Sequence, residues 1–185
     1  MKLCIAGTSF ELSFRFVAVL TVLLTVIPES SAAYCFLFCI LHELGHFSAM
    51  LICRKKIHGI SFDYFGIKII TEKKFLPPFK EASIAAGGPC VNFVLASVLF
   101  IFGKENLAVI NLALAFFNML PISILDGGHI LSALFPDSKA VRLISFGCAL
   151  SLFIAGIGVA IYSKKSFTLL IVSLYLLIGT VCNKD

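Results

Sequence analysis

Six apolar runs separated by short polar connections organise this chain, at about 12–27, 32–53, 81–102, 107–135, 141–162 and 167–182. Each is near the roughly 20 residues a helix needs to cross the hydrocarbon core of a bilayer. The pattern predicts an all-α polytopic membrane protein with about six transmembrane helices. The first run is the least regular: Arg15 stands near its start, and the "ESSAAY" that follows has the small-residue character of a signal-peptide cleavage site.

Two places break the helical pattern. In the connection 54–80, "IHGISFDYFGIKIITE" (57–72) sets Ile60, Phe62 and Tyr64 at alternate positions with Gly59 and Gly66 as punctuation. This predicts a short membrane-associated β-hairpin or strand between helices two and three, either a surface hairpin or a sheet edge able to pair with another extended chain. The "FLPPF" at 75–79 ends it. The second place is the fourth run, whose 29 residues would measure about 43 Å as straight helix against a hydrocarbon core of about 30 Å. It must tilt strongly or break, and Pro121, Gly127 and Gly128 in "NMLPISILDGGHILSALF" (118–135) mark a broken fourth helix. Such a break at membrane depth is tolerated where it is buried in protein or lines a wet cavity.

Composition supports the membrane reading: 59% of the residues are hydrophobic, 14% are charged and the mean hydropathy is +1.04. The expectation is one intramembrane domain, residues 1–185, with no PDZ or CBS domain. The net charge of +5 does not point to nucleic acid, because the basic residues sit in short loops. Loop 54–80 holds seven of the 15 Lys and Arg, and placing it and both termini in the cytoplasm leaves only Lys104, Lys164 and Lys165 outside. Runs two and four then both descend from outside to inside. The seven cysteines form no CxxC and no disulfide framework.

Of the ten acidic residues, only Glu43 and Asp126 lie well inside a run. A carboxylate there costs on the order of 3 kcal/mol and needs a compensating partner, for which a shared cation suffices. His42 and His46 are four apart, so their rings leave one helix face about 6 Å apart along the axis and can converge on one ion. With Glu43 between them this is the HExxH pattern, two imidazoles for zinc and a glutamate to take a proton from water. A catalytic zinc site takes a third protein ligand. Asp126 is the candidate, since it lies about as far from the cytoplasmic end of its run as His46 does from its own.

Other residues near this constellation keep more than one reading. His129, one turn past Asp126, is a ligand or a group supporting the ligands. Cys35, Cys39 and Cys53 share the histidine stripe and are small packing residues or thiolate ligands. Gly87 and Gly88 permit close helix approach to the metal site. Asn92 either holds helices together or contacts substrate.

Taken together, "HELGH" (42–46), "AAGGPCVN" (85–92) and "NMLPISILDGG" (118–128), in this order, resemble the site-2 protease family of intramembrane zinc metalloproteases. Among its branches the chain is most similar to the short stage IV sporulation proteases, without their CBS domain. The resemblance implies His42, His46 and Asp126 as ligands of one zinc ion and Glu43 as general base and acid. It implies Asn118 as an oxyanion-stabilising or substrate-orienting catalytic group. It implies that the strand segment, with Phe62, Tyr64 and Gly66, aligns an unwound substrate, and Asn92 joins these as a candidate substrate contact. The substrate implied is a transmembrane or membrane-tethered protein cleaved near the cytoplasmic face, sigma-factor precursors included, with an inhibitory membrane partner by analogy. Spans one, five and six are expected to gate water and substrate. The rival reading from the residues alone is a divalent-metal transporter or metal-sensing membrane protein, which also requires His and Asp within spans.

Overall fold

The computed structural model describes residues 2–5, 8–12, 29–54, 57–63, 66–71, 76–163 and 168–182. Its described helices are α1 (Glu29–Ile52), α2 (Pro78–Ile101), α3 (Glu105–Asn118), α4 (Asp126–Leu134), α5 (Lys139–Ser163) and α6 (Thr168–Cys182). Three of these, Ala33–Ile52, Pro78–Ile101 and Lys139–Tyr162, are long and apolar enough to cross a membrane. At 14 and 15 residues, α3 and α6 measure about 21 and 22 Å, short of a full hydrocarbon core. The expectation of six full spans therefore reduces, among the described residues, to three long helices and two shorter apolar ones. Residues 13–27 of the first expected span lie outside the described residues.

The remaining regular structure is a four-stranded sheet in the order β1 (Lys2–Ile5), β2 (Thr8–Leu12), β3 (Ile57–Asp63), β4 (Gly66–Thr71). Strands β3 and β4 pair antiparallel through Phe62↔Ile67 and Asp63↔Gly66. Strand β2 lies parallel to β3, so the fold is not all-α. The two N-terminal strands escaped the sequence reading because four- and five-residue segments carry too little alternation to register.

Helix α2 begins at Pro78, ahead of the expected start at 81, because proline lacks only an N–H that a first-turn residue leaves unpaired anyway. It turns into α3 through Gly103, whose φ of +67° suits glycine. The expected break in the fourth run is present: α3 ends at Asn118, α4 begins at Asp126, and Pro121 lies in the seven residues between them.

Close backbone approach sets the α1–α2 crossing. A Cβ at Gly87 would lie 2.6 Å from the Gly45 carbonyl oxygen and 3.0 Å from the Ala49 methyl, and one at Gly45 would strike the Gly87 carbonyl. The two helices touch through these glycines, as small residues allow where lipid supplies no hydrophobic drive. By contrast, a Cβ at Gly147 or Gly158 on α5 meets nothing within 4 Å. Gly45→Ala and Gly87→Ala are each expected to lower stability by about 1–3 kcal/mol through overpacking. Gly147→Ala and Gly158→Ala should move it by less than about 1 kcal/mol. Thermal unfolding of the purified protein in detergent compares the four, and equal effects would refute the glycine contact as the basis of the crossing.

Candidate metal centre

His42 and His46 stand one turn apart on α1, at 7% and 9% exposure, inside a bundle with little other buried charge. Their Nε2 atoms approach to 3.2 Å, with the rings edge to face. The break after α3 brings in the third group. Leu125 is extended (φ −101°, ψ 164°), and Asp126 opens α4 as its first residue, where the helix dipole favours a carboxylate. Asp126 Oδ2 lies 3.0 Å from His42 Nε2, and Oδ1 lies 3.2 Å from His46 Nε2. Gly127 and Gly128 let α4 fold back over its own loop, since a Cβ on either would collide with the carbonyl oxygens of Met119 and Ile122 respectively.

This triangle fits a metal ion better than it fits hydrogen bonds alone. Ligand atoms about 2.0–2.1 Å from a tetrahedral zinc ion lie about 3.3 Å from one another, close to the separations of 3.0–3.2 Å found here. Among the described residues His42, His46 and Asp126 form the one group of this kind. The rings are also braced from behind. The Ile84 carbonyl accepts from His46 Nδ1 at 2.8 Å, which leaves the Nε2 lone pair for an ion. The wholly buried Asn92 amide lies 3.2 Å from His42 Nδ1. In addition, Gly88 leaves open the space the ion needs: a Cβ there would lie 2.6 Å from His42 Nε2 and overlap His46 Nε2.

Comparison with known proteins agrees with this geometry. Residues 104–155, which include Asp126 but neither His42 nor His46, match peptidase family M50. The chain is 34% identical over 105 residues to a Synechocystis sp. protein named as a zinc metalloprotease, covering 50% of this chain and 28% of that one. It is 28% identical over 199 residues to a zinc metalloprotease of Methanocaldococcus jannaschii, covering 95% of this chain and 57% of that one. It thus spans only part of the length of these curated relatives. A solved structure of a site-2 protease from M. jannaschii superposes with a TM-score of 0.70 at 26% identity, covering 100% of this chain and 95% of that one. The chain is thus similar in fold to a site-2 protease and matches peptidase family M50 over part of its length.

The other expected site residues fall in different places. Glu43 is half-buried beside His42 and within Coulombic range of His46, His42 and Asp126. Asn118 is the last residue of α3, and its amide donates to the Leu114 carbonyl at 3.0 Å. Asn92 does not face an open cleft; it is buried against His42. Phe62 lies on the interior strand β3, its backbone paired with Leu12 on one side and Ile67 on the other, whereas Gly66 lies on the edge strand β4. Tyr64 lies outside the described residues. His129 is exposed, outside the ligand group, and lines a cavity of about 390 Å³ with Glu81, Ile84, Ala85, Ser132 and Ala133. Cys35, Cys39 and Cys53 are also outside the ligand group.

Sequence reasoning missed the supporting role of Ile84, while Gly88, read as permitting close helix approach to the metal site, does lie against both histidine rings. A backbone carbonyl has no sequence signature, but Gly88 and Asn92 one turn apart in an apolar helix marked that face. Gly88→Ala is expected to abolish zinc retention while leaving helix content unchanged. Metal analysis and circular dichroism of the purified variant check this; stoichiometric zinc would show that the space in front of Gly88 is not the ion's.

Proposed function

We propose that the chain is a multi-pass zinc endopeptidase with cytoplasmic termini, hydrolysing peptide bonds of transmembrane or membrane-tethered proteins near the cytoplasmic face. The observation that carries this reading is the His42–His46–Asp126 triangle with Glu43 beside it. Two neutral imidazoles and one carboxylate are a ligand set for a single catalytic zinc ion that keeps a position open. Zinc held there supplies Lewis acidity, polarising the scissile carbonyl and acidifying water. Glu43 accepts the proton of the attacking water and returns it to the leaving amide nitrogen, so one carboxyl group serves as base and then acid.

Asn118, at the mouth of the break before Asp126, has a second amide N–H beyond the one given to Leu114, and that donor stabilises the developing oxyanion. The substrate must arrive unwound, because a helical peptide bond is shielded by its own hydrogen bonds. Among the described residues β4, starting at Gly66, is the edge strand beside β3, and its outer side suits pairing with an extended segment. This reading moves the pairing role from Phe62 to β4. A membrane-held sigma-factor precursor is one substrate of the class, and a membrane protein covering the same edge would inhibit. The cavity beside His129 and Glu81 gives water a polar approach next to Ile84, whose carbonyl holds His46.

Glu43→Gln should keep stoichiometric zinc and lower cleavage of a co-expressed tethered substrate by about 10²–10⁴-fold. Normal cleavage by that variant would overturn the assignment, and zinc movement across vesicles by the purified protein would favour a transporter instead. Asn118→Ala should lower the turnover rate by about 10²–10³-fold with zinc content unchanged, as measured by substrate processing alongside metal analysis.

A further inference from the structure

We infer that Asn92 is a positioning residue that fixes the ring of His42 for the metal by accepting a hydrogen bond from His42 Nδ1 through its side-chain oxygen. The inference rests on the zinc reading of the His42–His46–Asp126 triangle and deepens it. Asn92 is 0% exposed on α2, one turn after Gly88, and its amide is 3.2 Å from His42 Nδ1. Its other heavy atom, Oδ1, is buried without a partner. The two ends of an amide are alike in size and shape, so either can face the imidazole.

The chemistry of His42 chooses between them. A neutral imidazole carries one proton, and a ring that offers Nε2 to a cation must carry it on Nδ1. Nδ1–H then needs an acceptor, and the Asn92 carbonyl, otherwise unpaired, is the group within reach. With the amide turned this way, His42 gains what His46 has in the Ile84 carbonyl, an oxygen 2.8 Å from its Nδ1. Each histidine is then held by an acceptor supplied from α2, one from the main chain and one from a side chain.

This assignment distinguishes oxygen from nitrogen at position 92. Competition for zinc with a chromophoric chelator, on the full-length chain in detergent, reads the affinity directly without any substrate. Asn92→Leu should weaken zinc binding by about 10–100-fold. Asn92→Asp, which keeps an acceptor of the same shape and loses the N–H donor, should bind zinc as tightly as the unmodified protein or more tightly. Helix content and thermal unfolding of the metal-free forms are followed in parallel, so that a folding defect in the leucine variant is seen as such; the aspartate variant then decides. An aspartate variant as weak as the leucine one would overturn the inference, because the amide N–H would be what matters, and so would a leucine variant that binds zinc normally. If the unmodified protein and His42→Ala bind zinc equally, the metal centre itself fails and this inference with it.

Discussion

The structure is organised around one constraint: two imidazoles and a carboxylate must meet within 3.0–3.2 Å of one another inside an apolar bundle. None of these groups is tolerable there alone. A carboxylate in a span is costly, and a buried imidazole without partners gives up hydrogen bonds worth about 1–3 kcal/mol. Each is accommodated because the others are present, and the small residues around them follow from that requirement. Gly45 and Gly87 bring α1 and α2 into backbone contact, and Gly88 clears the space in front of the two Nε2 atoms. Larger residues at these positions would hold the rings apart or fill the place where they converge.

The third corner requires a different device, because a side chain as short as aspartate cannot reach across a helix pair from a straight span. The break at 119–125 supplies it, and the bundle clamps the break firmly. Ile122 is wholly buried with Ala149 of α5 and Leu176 of α6, among Phe117, Leu120, Ile124, Leu125 and other apolar side chains. The Ser123 N–H donates to Ser145 Oγ at 2.7 Å, and Ile124 packs over Gly179. The last two helices therefore hold the segment that presents Asp126.

What was legible in the sequence follows from the same physics. Groups expensive in lipid stand out against an apolar background, so His42, Glu43, His46 and Asp126 could be picked out, and the 29-residue fourth run betrayed its break by length. Helix extents were less legible, because apolar residues continue through the break and the turns: α3 is 14 residues long although its run suggested far more. The parallel pairing of β2 with β3 depends on segments nearly fifty residues apart, and no local pattern encodes it. Asn92 was legible as a polar residue in a span but not as the neighbour of His42, because that contact depends on how far the glycines let α1 and α2 approach.

Charge explains why the fourth ionisable group of this neighbourhood is a carboxylate beside the centre rather than another ligand. Two neutral imidazoles, one aspartate and a dication leave one positive charge, which a low-dielectric bundle bears poorly. Glu43 as a carboxylate would cancel it, and on the proposed mechanism a proton passed from water to Glu43 would leave the total charge unchanged. On that mechanism the chemical step would displace charge over a few ångströms without creating any in the apolar bundle. A fourth protein ligand in place of Glu43 would reach the same neutrality but would close the open position. Keeping the compensating carboxylate half-buried and outside the ligand triangle preserves both neutrality and access.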